Sequence, residues 1–212
     1  FTTSVESNTY TFTTDEGLTI GADATGRYTA NGISIFEGEI IREIFQVNTA
    51  NTDQRFVLSN KEIDTSSLVV KISTSSTDTS NSEWKSSLSA IGVSGTSNVY
   101  YTVPAENGKY EIQFGDGVLG RPLDNGNIIE AAYRKSNADK ANEANTFTCA
   151  DTIQGYSNVV TTTTGKASGG GFAESNTSIK FNAPKALSIQ DRTITVDDYK
   201  TILQPVSYTH LR

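Results

Sequence analysis

Histidine and cysteine each occur once, as His210 and Cys149, and methionine does not occur in the 212 residues. His210 stands in a terminal stretch, from Pro205 on, that reads as foreign to the fold, the alternative being a native helix stop at the proline. That excludes nearly every Ser-His or Cys-His nucleophilic arrangement, and with them histidine-based metal sites. A lone cysteine forms no intramolecular disulfide, so the fold does not depend on an oxidising compartment. Lysine and arginine never cluster and the formal net charge is -7, which excludes strong binding to a phosphate backbone, where clustered cations must release counterions. No apolar run approaches the ~20 residues that span a bilayer as a helix, and no signal-peptide pattern is present.

What the chain has instead is threonine, serine and asparagine. Hydrophobic residues are 35%, below the usual globular share, yet charged residues are only 19%, too few for a charged disordered chain. Half-buried strands explain both figures, because only every second strand residue must be apolar. The pattern recurs at Leu68, Val70 and Ile72, at Val99, Tyr101 and Val103, at Tyr110, Ile112 and Phe114, and at Ile129, Ala131 and Tyr133. Asn31-Gly32, Asn107-Gly108, Asp116-Gly117 and Asn125-Gly126 lie between such runs and tolerate the positive φ angles of tight turns. Antiparallel hairpins are the expectation.

Residues 39–47 are ambiguous, since Ile40/Ile44 and Ile41/Phe45 have helical spacing. Their β-branched content and the preceding Gly38 favour a strand. Thr74 to Ser82 reads as an exposed polar loop, and Ser168-Gly169-Gly170-Gly171 as a flexible break. A short helix is expected over Ala173 to Asn182, ending before Ala183-Pro184. A second is expected from the Thr195 cap and acidic Asp197-Asp198 turn, with Val196, Tyr199, Ile202 and Leu203 as its apolar stripe. The fold class is therefore mainly β (α+β overall), with antiparallel sandwich-like domains and a small helical section near the C-terminus. The expected divisions are 1–80 (β-rich), 81–167 (a β-domain with the FGDGVLG turn), 168–204 (break plus helical section) and 205–212 (a non-native tail). Phe1 at the start and the missing methionine lead to the expectation of a piece of a longer protein.

A search for chemistry yields no catalytic, cofactor-binding or metal-ligating residue. Gly115-Asp116-Gly117-Val118-Leu119-Gly120 matches G-x-G-x-x-G after a strand, but the pyrophosphate site of that fingerprint needs a helix beginning at the glycines. Here Arg121-Pro122-Leu123-Asp124-Asn125-Gly126 follows, another turn. A glycine-dependent connection, with Asp116 bonding the local backbone, is the reading that remains. Asp15/Glu16, Glu37/Glu39/Glu43 and Asp197/Asp198 are the carboxylates that a glycosidase pair would draw on, and solvated acidic residues explain them equally well. No D-x-[DN]-x-[DN]-G calcium loop occurs. Cys149 reads as a small buried hydrophobe, and Asn176-Thr177-Ser178 as a chance glycosylation acceptor.

Two clusters carry a resemblance. The first runs from Val99-Tyr100-Tyr101 through Tyr110-Glu111-Ile112-Gln113-Phe114 and the glycine turn to Asp124-Asn125-Gly126-Asn127. The second is Glu174 to Pro184, followed by Asp191-Arg192-Thr193-Ile194-Thr195-Val196-Asp197-Asp198-Tyr199. In this order they resemble the baseplate J-like family, nearest to the baseplate wedge proteins of T-even-type contractile-tailed phages. Asn51 to Leu58 and Ile63 to Leu68 also look like the middle region of those proteins, and the likeness covers about Phe36 to Leu203. The resemblance implies a non-enzymatic virion component in the tail baseplate, assembled in the bacterial cytoplasm. It further implies a homodimer that contacts other wedge proteins, with no nucleic acid, membrane or small-molecule partner and no cofactor. Pairing through strand addition or apolar patches follows from that picture, with Ile202 and Leu203 as patch candidates or, equally, core residues, and the region after Gly171 packed on another chain or on an absent part of this one. The alternative is a carbohydrate-binding or adhesin-like β-domain, whose aromatic platform would draw on Trp84.

Overall fold

A computed structural model describes residues 1–15, 17–78, 80–88, 91–189 and 196. The protein is mainly β with one helix toward the C-terminus. It divides into two compact units: Phe1–Glu37 with Asn137–Arg212, and Gly38–Ser136, which is inserted between those two segments. The division expected at residue 80 is therefore corrected. The polar loop there only joins two strands of one sheet, so no unit ends at it.

The split unit holds β1 (Thr2–Val5), β2 (Asn8–Thr13) and β3 (Phe36–Glu37), paired antiparallel in that order. Its hairpin turns at Glu6 and Ser7, both at positive φ, so no Asn-Gly signature announced it. The outer side of β1 is covered by an exchange of backbone bonds between Thr2 and Thr148 (2.8 and 2.9 Å) and by Thr3 Oγ1 donating to Thr146 O at 2.7 Å. Tyr10, Phe12, Ala141, Ala144 and Phe147 form the core, with Phe12 and Phe147 edge to face at 4.8 Å. The glycine-rich break is tied rather than loose. Gly170 donates its N–H to Asn142 Oδ1 at 3.0 Å and accepts from Asn142 Nδ2 at 2.9 Å.

Helix α1 (Asn176–Ile189) corrects the expected stop at Ala183, because Pro184 lies inside it. Proline there forfeits one N–H and crowds the carbonyl one turn back. The described side chains of this helix stand mostly in solvent, where water can take up the freed carbonyl, so one proline need not end it. Ser175 caps its start, accepting from Ser178 N at 3.3 Å through Oγ. The second helix expected from Thr195 lies outside the described residues, Val196 excepted, as do Ile202, Leu203 and the 205–212 tail.

The inserted unit is a seven-stranded sheet of β4 (Glu39–Gln46), β5 (Phe56–Val57), β6 (Ile63–Ser73), β7 (Ser82–Ser86), β8 (Val99–Pro104), β9 (Tyr110–Phe114) and β10 (Ile128–Lys135), in the order β4-β10-β6-β7-β8-β9-β5. Its pairs are antiparallel except β7 with β8, which run parallel. Residues 39–46 are a strand, paired to β10 without a break from Glu39↔Lys135 to Gln46↔Ile128. Ile41 and Phe45, the pair with helical spacing, are also an even number apart, so both face the core. Asn107 and Gly108 close the β8–β9 hairpin at φ 60 and 73, the mirror-image turn that matches strand twist. Asp116-Gly117 and Asn125-Gly126 sit in the connection between β9 and β10, which are not adjacent, and Asn31-Gly32 lies within the long β2–β3 connection.

One core serves the whole sheet: Leu58, Val70, Tyr100, Ile112, Ile129 and Tyr133 are buried in it with their neighbours. Each large apolar side chain so buried contributes ~1.5–3 kcal/mol. Phe45 meets Phe56 at 5.8 Å, Phe56 meets Phe114 at 5.8 Å, and Phe114 meets Trp84 at 5.4 Å, all near edge to face. Because β4 and β5 end the strand order and still touch, the sheet folds over on itself. The alternation expected for β8 is half right. Val99, Tyr101 and Val103 share a face but are only half-buried, while Tyr100 fills the core and donates its hydroxyl to Leu68 O at 2.7 Å.

Candidate functional site

The glycine turn after β9 explains that exchange of faces. Loop 115–121 folds back over the start of β8: Tyr101 Oη donates to Leu119 O at 3.4 Å, and Val99 packs on Gly120. Two main-chain approaches and one positive φ make the loop so close. A Cβ on Gly115 would lie 2.1 Å from the Gly120 carbonyl carbon, one on Gly95 would lie 1.9 Å from Gly117 O, and Gly120 sits at φ +100. Gly120 N donates to Ser94 O at 3.2 Å and Arg121 N to Ser97 O at 2.9 Å, stitching the two loops together. No helix begins here, so the dinucleotide pattern is a backbone-packing device.

Asp116 does what the sequence suggests. Its Oδ1 accepts from Val118 N at 2.9 Å and Leu119 N at 3.0 Å, and these amides, that of Leu119 foremost, hold its carboxyl below the ordinary aspartate range. Asp78 closes the polar loop between β6 and β7 in the same way, accepting from Ser80 N and Oγ and from Thr74 N and Oγ1. Those bonds, the Ser80 hydroxyl first, lower its pKa as well. A lowered folded-state pKa means stability that is present above ~3.9 and is lost as pH falls through the folded value. Acid titration of an Asp78→Asn, Asp116→Asn double variant should therefore show a shallower loss of stability below pH ~4 than the parent. An unchanged acid limb would show that neither carboxylate is linked to folding.

The remaining candidates do not converge. Glu37, buried in the split unit, accepts from Asn137 N at 2.9 Å and Asn137 Nδ2 at 2.7 Å. Glu43, in the inserted unit, accepts from Ser59 N at 3.0 Å, Ser59 Oγ at 2.6 Å and the Tyr133 hydroxyl. Glu39 is exposed. Glu16, Asp197, Asp198 and His210 lie outside the described residues. Among the described residues no group of three His, Cys, Asp or Glu is placed to hold a metal, and no helix is long and apolar enough to cross a membrane. Cys149 is half-buried rather than buried, its thiol donating to Asp151 O at 3.3 Å. Trp84 is 4% exposed and locked against Phe114, so it offers no face to a sugar. A cavity of about 40 Å³ in the split unit, beside Phe12, Glu37 and Asn142, has room for a water or two.

Two buried polar groups escaped sequence reasoning. Arg134 donates to Asp64 Oδ2 at 3.1 Å with both side chains fully enclosed. Tyr133 gives its hydroxyl to Glu43 and accepts from Asn60 Nδ2 at 2.7 Å, and burial, then the Glu43 bond, raises its pKa. In Tyr133-Arg134 the tyrosine continues the apolar alternation, but nothing in the one-dimensional pattern shows that the arginine is also covered. Gly95 was missed as well, since its partner is a carbonyl 22 positions along the chain. No protein-family model matches the chain, and no curated protein matches it.

Proposed function

We propose that this chain is a structural component of a phage tail baseplate wedge, making dimeric and ring contacts with other baseplate proteins during assembly and sheath contraction. In that reading it acts in the virion, is put together in the bacterial cytoplasm, and performs no catalysis. One observation carries the need for a partner. Helix α1 exposes Ile179, Ala183 and Leu187 along one stripe, with Leu187 at 78%, while Phe181 is 66% exposed beneath Lys185, whose Nζ lies 3.6 Å from its ring. A helix of this length draws its stability from burying a face, and Pro184 weakens it further. Phe172, just before it, is also exposed. A component completed by its neighbours has this surface.

The glycine-locked loop supports the same reading, because the turn that carries the family resemblance is built for rigidity rather than for a ligand. The carbohydrate-binding alternative loses its platform with Trp84 in the core. Sedimentation of the chain with purified wedge proteins tests the proposal. The parent should co-sediment, and Ile179→Asp with Leu187→Asp should weaken association by at least about tenfold, the scale of a lost apolar anchor. A parent chain that stays apart from every wedge protein at micromolar concentration contradicts it.

A further inference from the structure

The two strands that end the inserted sheet meet without a backbone ladder. Side chains close the seam. Gln54 Nε2 donates to Gln46 O at 2.7 Å while Gln54 Oε1 accepts from Asn48 N at 2.7 Å, so one amide side chain stands in for a strand residue. Farther along, Glu43 holds Ser59 N and Oγ, and Asn60 reaches Tyr133, which bonds the same carboxylate.

Underneath lies an intact edge. Val47 N donates to Asn127 O at 2.9 Å and Gly126 N to Val47 O at 2.9 Å, so by the alternation of an antiparallel pair the odd-numbered residues of β4 bond β10. Ile40, Arg42 and Ile44 turn their N–H and C=O groups the other way, toward the seam. Gln54 meets Gln46 on that same side. The strand carries no proline, no lysine and no irregularity in its register with β10, three of the devices that blunt an edge, and its inward charge, Glu43, is held by Ser59 and Tyr133. The other edge, β5, is blunt by being two residues long.

We propose that residues 48–54 are a removable strap, and that with the strap displaced, and Phe56 and Leu58 staying in the core, β4 accepts an extended segment of a different protein as an added strand. The chemistry of that segment follows from the outer face of β4. Ile44 is 70% exposed, Ile40 is exposed, and the Arg42 side chain between them is 70% exposed with only a 3.6 Å contact to Glu130. Directly opposed residues share a face, so the segment carries apolar, acidic and apolar residues at alternate positions. A second copy of this chain does not fit. A two-fold axis must pair the even-numbered residues with one another. The two registers of greatest overlap then set Arg42 against Arg42 or Glu43 against Glu43, and like charges so opposed are destabilising. The inference stands independently of the baseplate reading.

The probe is an acetylated threonine heptapeptide with valine, glutamate and valine at alternate positions, and a lysine version as control. Backbone amide exchange by NMR on the full chain is the readout. In the free protein the amides of Ile40, Arg42 and Ile44 should exchange faster than those of Ile41, Glu43 and Phe45. The glutamate peptide should slow them, and Gln54→Ala should raise its affinity about tenfold by freeing the strap. Arg42→Glu should turn the preference to the lysine peptide. Ile44→Pro removes only an outward N–H, a change that an edge strand tolerates, and should abolish binding in a folded protein. Slow exchange at all six amides, no protection at millimolar peptide, or affinity indifferent to Gln54→Ala would overturn the proposal.

Discussion

Arg134→Ala should cost about 3–5 kcal/mol of unfolding free energy, because it leaves a buried carboxylate without its counter-charge. Arg134 is 2% exposed and Asp64 1%. Asp64 Oδ2 takes the guanidinium, and its Oδ1 accepts from Ser66 N at 3.0 Å and Ser66 Oγ at 2.6 Å. The Arg134 backbone N–H is held in turn by Ser67 Oγ at 2.8 Å. This cluster sits where the β10–β6 register shifts, between Ala132 and Arg134. The polar network therefore replaces ladder pairing at the irregularity. Gly38 belongs to the same arrangement, since a Cβ there would lie 2.4 Å from Arg134 Cγ and 2.5 Å from Lys135 O. Urea unfolding of Arg134→Ala beside Arg134→Met, Asp64→Asn separates charge from volume. The double variant removes the charge and keeps an acceptor for Ser66, so it should regain about half of the loss. A loss below about 1 kcal/mol in the single variant would show that Asp64 is not confined as described.

Gly115→Ala should be strongly disruptive, costing about 3 kcal/mol or more. Its added methyl would meet main-chain atoms of Gly120 at 2.1 to 2.4 Å, and backbone cannot rotate aside as a side chain can. Gly108→Ala is the matched control. Gly108 has φ +73 with open space around it, so only the left-handed conformation is strained, at about 1 kcal/mol. Equal losses at the two positions would mean that the loop is not packed main chain on main chain. Disturbing this loop also uncovers Val99 and Tyr101 on β8, so its effect should reach the sheet.

Much of this sheet could be read in advance because alternation is local. Leu68, Val70 and Ile72, and likewise Ile129, Ala131 and Tyr133, are buried as their spacing implies. What could not be read depends on distant partners. β7 running parallel to β8, the insertion of one unit within the other, and the covering of Arg134 are set by residues far along the chain, and spacing says nothing of them. Tyr100 was missed for a subtler reason. A loop covers the alternate face of β8, so both faces are enclosed and the polar tip of the tyrosine ends on a carbonyl. The candidate site was legible mainly as a warning, in that the turn after Gly120 excluded a phosphate-binding helix. Pro184 misled, because a proline that costs one hydrogen bond need not end an exposed helix.

Exchange rates of the amides in α1, in the free chain and in an assembled wedge, test most directly whether this protein is a part completed by its neighbours. The account predicts rapid exchange across residues 177–187 in the free chain, where most described side chains stand in solvent, and slowing by about a hundredfold or more on assembly. Exchange that is already slow in the free chain, or that stays rapid in the assembled wedge, would contradict it.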